Sequence, residues 1–94
     1  MSKLISIIVP CFNEQEALPI FYETIIPYLN RLNTDYEILF IDDGSKDNTP
    51  NIIKDIATNN KNIKYVIFSR NFGKEAAMYA GLKNSKGDYV AVMD

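Results

Sequence analysis

Four carboxylates, Glu14, Asp42, Asp43 and Asp94, stand just beyond the ends of short runs rich in β-branched residues. Acids gathered at the carboxyl ends of strands can hold a hard divalent cation, or accept hydrogen bonds from a base and a ribose. Lys74 follows Gly73 at the start of a helical pattern, where its ammonium group and the open N–H groups of a first helical turn can meet a phosphate. Each of these residues also has a purely structural reading: Glu14 as an acid near a helix N-terminus, Asp42 and Asp43 as turn formers, Asp94 as a chain end, Lys74 as a solvated lysine. The chain has no histidine and one cysteine, Cys11, so the common Cys/His zinc patterns and an intrachain disulfide are excluded. Cys11 follows an apolar strand and reads as a small packed thiol. Neither G-x-G-x-x-G after the first strand nor G-x-x-x-x-G-K-[ST] anywhere is present, so any nucleotide must be held without the usual glycine-rich phosphate loops.

The elements that must position these groups follow from the apolar pattern. Leu4, Ile5, Ile7, Ile8 and Val9 form a run broken only by Ser6, the signature of a parallel strand covered on both faces. Pro10 lacks a backbone donor and is expected to end the ladder, sending Cys11 to Glu14 out of the sheet at its carboxyl edge. Asn13 is expected to cap a helix with Glu14, Gln15 and Glu16 in its first turn. Leu18, Phe21, Tyr22, Ile25, Leu29 and Leu32 give that helix one apolar stripe to about Arg31, with Pro27 expected to kink it or end it near Ile26.

Glu37 to Ile41 reads as a second buried strand closed by the turn Asp42, Asp43, Gly44, Ser45. A second helix starts at Asp47, Asn48 or Thr49, with Pro50 suited to its first position and Ile52, Ile53, Ile56 and Ala57 facing inward. Ile63 to Ser69 is a third strand. The loop Arg70 to Gly73 then leads to a third helix from Lys74 to about Asn84, whose Ala76, Ala77, Ala80 and Gly81 permit close approach to a sheet. After a turn at Lys86, Gly87 and Asp88, Tyr89 to Met93 is a fourth strand that delivers Asp94 to the sheet edge.

Strands and helices in strict alternation imply an α/β fold, Rossmann-like, with three α/β/α layers around a parallel four-stranded sheet joined by right-handed crossovers. In the doubly wound order 3-2-1-4, strands one and four meet at the topological switch point, and Pro10 to Glu14, Asp43 and Asp94 border one crevice. With 94 residues, 47% of them hydrophobic and 23% charged, the chain is of ordinary globular composition and fits one small domain. A formal charge of -2 removes the basic excess that a general nucleic-acid binder needs. No apolar run approaches membrane-spanning length, the N-terminus lacks a signal-peptide cleavage pattern, and cysteine usage fits the cytoplasm.

Four stretches together carry a resemblance: S-I-I-V-P-C-F-N-E (Ser6 to Glu14), I-D-D-G-S-K-D-N-T (Ile41 to Thr49), S-R-N-F-G-K-E-A-A (Ser69 to Ala77) and G-D-Y-V-A-V-M-D (Gly87 to Asp94). In order and spacing they resemble the family 2 glycosyltransferases of GT-A fold, and most nearly the polyprenyl-phosphate (dolichyl- or undecaprenyl-phosphate) sugar transferases. The resemblance implies that Pro10, Phe12, Asn13 and Glu14 form a loop cradling the base and ribose of a UDP- or GDP-sugar. Asp43, beside Asp42, matches an acid that reads the base, and Gly73 and Lys74 match a segment beside base and phosphates. Asp94 matches the first acid of a D-x-D motif whose carboxylates hold ribose and a Mg²⁺ or Mn²⁺ on the diphosphate.

By the same resemblance, residues 1–94 are the nucleotide-sugar-binding half of a GT-A domain, ending at that first acid. The acceptor half, the catalytic base and the lipid-phosphate acceptor's site would lie beyond it, in a complete enzyme working at the cytoplasmic face of a membrane. Metal binding by residues 1–94 alone is then expected to be weak or absent, and an uncovered fourth strand is expected to favour self-association. Two other readings stand beside this one. A non-catalytic nucleotide-binding or interaction module needs only the crevice. A phospho-receiver domain would use an acidic pair like that in F-I-D-D-G, but here the pair follows the second strand rather than the first.

Overall fold

The computed structural model describes residues 3–93, so Asp94 lies outside the described residues. Strands β1 (Leu4–Cys11), β2 (Asp35–Asp42), β3 (Ile63–Ile67) and β4 (Tyr89–Val92) alternate with helices α1 (Ala17–Arg31), α2 (Thr49–Asn59) and α3 (Lys74–Asn84). The sheet is wholly parallel, as the alternation implies, in the order β3-β2-β1-β4 expected of a doubly wound fold.

Because side chains alternate across a strand, successive residues of the two central strands serve different layers. Ile7, Val9 and Cys11 of β1 and Ile38 and Phe40 of β2 pack with Leu18 and Leu29 of α1 and Ile53 of α2. Phe21 meets Phe40 edge-to-face, with ring centroids 6.5 Å apart. On the other face Ile8, Leu39 and Ile41 pack against Ala77 of α3. That helix comes close enough that a Cβ on Gly81 would lie 2.3 Å from Ile8 Cγ2. The small residues of α3 are therefore used for close packing.

Several boundaries differ from the sequence expectation. β1 runs through Pro10 to Cys11, paired with Ile41 and Asp42 of β2. Leu4 and Ile8 offer their carbonyls to the β4 side, to the N–H groups of Asp88 and Met93, whereas Cys11 offers its carbonyl to Asp43 of the β2 side. Pro10, in step with Leu4 and Ile8, points its missing N–H past the end of β4, where no ladder bond is lost. Asn13 does not cap α1. It sits at φ 52°, and the helix starts at Ala17 with Glu16 at its cap, so Glu14 and Gln15 belong to a loop. Pro27 neither ends α1 nor displaces its packing. It and Glu23, whose carbonyl loses the partner, both face solvent, while Leu29 remains buried on the opposite side. β2 is longer than expected at both ends and β3 stops two residues earlier, at Ile67.

Ser6, the polar interruption in β1, is explained by its partner. It lies in register with Glu37, and both are buried. The Ser6 hydroxyl donates to Glu37 Oε2 at 2.5 Å, Lys86 N donates to the same oxygen at 2.7 Å, and Lys64 Nζ pairs with Oε1 at 2.8 Å. Gly87 N donates in turn to Ser6 Oγ at 2.8 Å. This network fastens the turn after α3 to the amino end of the sheet. Burial alone would raise the Glu37 pKa, but the bonds from Lys64, Ser6 and Lys86 outweigh it and hold the carboxyl below its ordinary 4.5.

The sign of the pH effect follows. A carboxyl whose folded pKa is depressed stabilises the fold above its unfolded value, and that stability is lost as pH falls from about 4.5 through the lower folded value. Glu37→Gln should cost about 2 kcal/mol near neutrality and flatten this acid-limb dependence, read as urea midpoints from pH 7 down to pH 3. A second substitution tests the loops at the other end of the sheet. Gly44 sits at φ 75°, and a Cβ there would fall 2.2 Å from the backbone carbon of Arg70. Gly44→Ala should therefore destabilise by more than the roughly 1 to 2 kcal/mol of the left-handed conformation alone, measured by thermal or urea unfolding.

Candidate functional site

Two neighbouring acids at the end of β2 face opposite layers, and each organises a different loop. Asp42 is fully buried. Its Oδ2 accepts from Ser45 N at 2.9 Å and its Oδ1 from Ser45 Oγ at 2.6 Å. Ser45 Oγ accepts from Asn13 N at 2.8 Å, and Asn13 Oδ1 accepts from Lys46 N at 2.9 Å. Further bonds run from Glu14 N to Thr49 Oγ1, from Gln15 N to Asp47 Oδ2 and from Asn48 N to Gln15 Oε1. The loop after β1 and the loop after β2 are thus stitched together along their length.

Asp43, 5% exposed, points to the α3 side. Its Oδ1 accepts from Phe72 N at 2.8 Å, Gly73 N lies 3.1 Å from Oδ2, and Asn71 Nδ2 lies 3.2 Å from Oδ2. Gly73 has φ 107°, and the helix begins at the next residue. A buried carboxylate that accepts several N–H groups is well satisfied and fixes its donors, so Asp43 sets where α3 starts and where Lys74 stands.

These supports converge on a cleft of about 130 Å³ at the carboxyl edge, lined by Pro10, Cys11, Phe12, Glu14, Asp43, Lys74 and Ala77. Five of the residues singled out from sequence, Pro10, Phe12, Glu14, Asp43 and Lys74, therefore meet in one place. A second cleft of about 260 Å³ shares Pro10, Cys11 and Glu14 but opens toward Ala17, Leu18 and Phe21 of α1. Phe12 is 43% exposed, an aromatic ring at the mouth rather than in the core. Asn13, Asp42 and Gly73 do not line the 130 Å³ cleft; they hold the residues that do. Asp94 falls outside the described residues. Ser45, one residue of the turn expected after β2, is the junction between Asp42 and Asn13. Its only sequence signal was its place two positions after an acidic pair.

Cys11 is 3% exposed, and burial, then the charges of Asp42 and Glu14, push its thiol up to about 12. It is not a thiolate nucleophile at physiological pH. Among the described residues no group of three Cys, Asp or Glu side chains is placed to hold a metal ion. Asp42 and Asp43 cannot pinch one cation between them, since they face different layers. Among the described residues, too, no helix is long and apolar enough to cross a membrane.

The chain is similar to known proteins over almost all of its length. It is 47% identical over 90 residues to the bactoprenol glucosyl transferase of Shigella phage SfX, a match covering 96% of this chain and 30% of that protein. It is 38% identical over 91 residues to the undecaprenyl-phosphate 4-deoxy-4-formamido-L-arabinose transferase of Pseudomonas fluorescens, covering 96% and 27% respectively. Among solved structures, S. aureus TarS 1-349 in complex with UDP-GlcNAc superposes with a TM-score of 0.75 at 25% identity, over 100% of this chain and 26% of that one. The mannosyltransferase PcManGT from Pyrobaculum calidifontis, in complex with GDP-Man and Mn²⁺, gives a TM-score of 0.69 at 25% identity, over 96% and 26%. The chain thus spans less than a third of the length of these relatives. The pattern shared by the Glycosyl transferase family 2 proteins matches residues 6–94, and the chain belongs to that family.

Proposed function

We propose that these residues are the donor-binding part of a transferase that moves a sugar from a nucleoside diphosphate to a polyprenyl phosphate. The observation that carries the reading is the convergence of Pro10, Phe12, Glu14, Asp43 and Lys74 on one cleft from three separate parts of the chain. The exposed Phe12 ring offers a face for a base, Asp43 a carboxylate for its N–H groups, and Lys74 at the head of α3 a cation for a phosphate. The cleft is smaller than the about 300 Å³ at which ligand pockets begin, so it takes one end of the donor, the base and ribose. The two structural neighbours hold donors with different bases, UDP-GlcNAc and GDP-Man, which supports a nucleotide-sugar without selecting the base. The two relatives are named for different sugars, but both are named for the same kind of lipid carrier, which supports the acceptor class.

In this reading residues 1–94 supply donor binding, and the rest of a longer protein supplies the acceptor site at the cytoplasmic face of a membrane. The described residues do not themselves fit a divalent cation, and Mg²⁺ or Mn²⁺ enters the proposal only through Asp94 in the complete enzyme. β4 lies at the sheet edge with Tyr89, Val90 and Val92 exposed, and in the complete enzyme further chain would cover it.

Calorimetric titration with UDP, GDP and their sugars tests the donor reading. The wild-type chain should bind at least one of them, and Asp43→Asn should weaken that binding by on the order of 1.5 to 3 kcal/mol, the worth of a charge-assisted hydrogen bond. No binding by the wild type would overturn the donor reading, and unchanged binding by the variant with its fold intact would remove Asp43 from the site. Sedimentation of the 94-residue chain should show concentration-dependent self-association through the β4 edge, and a clean monomer at high concentration would show that edge to be inert.

A further inference from the structure

We infer that Asn13 and Ser45 are positioning residues that set nucleotide affinity by holding Phe12 over the cleft, without touching the nucleotide themselves. The inference rests on the donor-binding reading above. Phe12 and Glu14 line the cleft while Asn13 between them does not. At φ 52° the backbone of Asn13 turns its N–H to Ser45 Oγ, and its side-chain carbonyl accepts from Lys46 N. Ser45 is fixed from beneath by both oxygens of the fully buried Asp42. A rigid chain of contacts therefore runs from the end of β2 through Ser45 and Asn13 to the residue before Asn13, which is Phe12. Glu14 has a separate tether, its N–H donating to Thr49 Oγ1 at 2.9 Å, so the Asn13–Ser45 contact acts chiefly on Phe12.

An exposed aromatic ring on an untethered loop samples many orientations, and tethering its neighbour removes that freedom before the ligand arrives. Losing the tether leaves the contact surface intact but makes binding order it, which weakens affinity without deleting any ligand contact.

Asn13→Gly keeps the positive φ and removes the carbonyl, Ser45→Ala removes the hydroxyl, and Ser45→Thr retains it. Titrated with UDP and GDP, Asn13→Gly and Ser45→Ala should each bind about tenfold more weakly than wild type, and Ser45→Thr close to wild type. In a Phe12→Ala background the same two substitutions should lose most of their effect, because the ring they position is gone. Full effects in that background, or no effect in the wild-type background, would overturn the inference. Amide exchange supplies a readout that needs no ligand: Lys46 N–H should lose protection in Asn13→Gly, and Asn13 N–H in Ser45→Ala, while the strand amides keep theirs. If the wild-type chain binds neither nucleotide, the donor reading falls and the affinity role with it. Unchanged exchange at Lys46 and Asn13 would instead refute the tether while leaving the donor reading in place.

Discussion

The carboxyl edge of this sheet depends on two consecutive aspartates that a strand's geometry forces apart. Side chains on an extended backbone alternate between faces, so Asp42 and Asp43 cannot act on the same loop. Asp42 gathers Ser45, and through it the loop after β1; Asp43 gathers Asn71, Phe72 and Gly73. One dipeptide at the end of a central strand thus fixes both walls of the cleft. Exchanging Asp43 for an apolar residue would leave the N–H groups of Phe72 and Gly73 without their acceptor, and exchanging Asp42 would do the same to the N–H and hydroxyl of Ser45, in each case a heavier penalty than the loss of one bond.

The loops themselves are held by polar contacts more than by apolar burial. Phe12 and Phe72 are both exposed, and the residues between β1 and α1 are exposed up to Ala17. What keeps them in place is directional bonding, much of it charge-assisted, anchored on groups buried in the sheet. This suits a binding edge, which has to remain open to solvent and yet keep its shape. The core beneath is conventional, with β-branched residues of β1 and β2 covered by α1 and α2 on one face and by α3 on the other.

Most of the architecture was legible in the sequence because apolar periodicity and the spacing of turns determine it. A parallel sheet follows once strands and helices alternate, the order 3-2-1-4 is that of doubly wound folds, and the small residues of α3 announced a close approach that Gly81 against Ile8 makes. What escaped was everything that depends on register or on long-range polar pairing. Ser6 and Glu37 look unrelated until β1 and β2 are laid side by side, when they become direct neighbours. Asn13 is a plausible helix cap by residue type, but the loop after β2 competes for the same groups and offers more bonds. Pro10 and Pro27 each sit where the missing N–H costs nothing in the ladder or the core, which composition alone cannot reveal. Of the candidate site residues, Pro10, Phe12, Glu14, Asp43 and Lys74 line one cleft, while Asn13 and Asp42 stand behind it and bond to the loops that form its wall.

The central position of β1 also bears on the order in which the chain can fold. β1 is made first, and its β2 side can pair once residues up to Asp42 exist. Its other side has to wait for β4, since Leu4 N donates to Asp88 Oδ2 across a separation of 84 positions and Asp88 N returns the bond to Leu4 O. The earliest strand is therefore the last to be fully paired. During synthesis one flank of β1 stays an open edge until residues 88–93 have emerged, and closing so long a loop is a slow, entropically costly step.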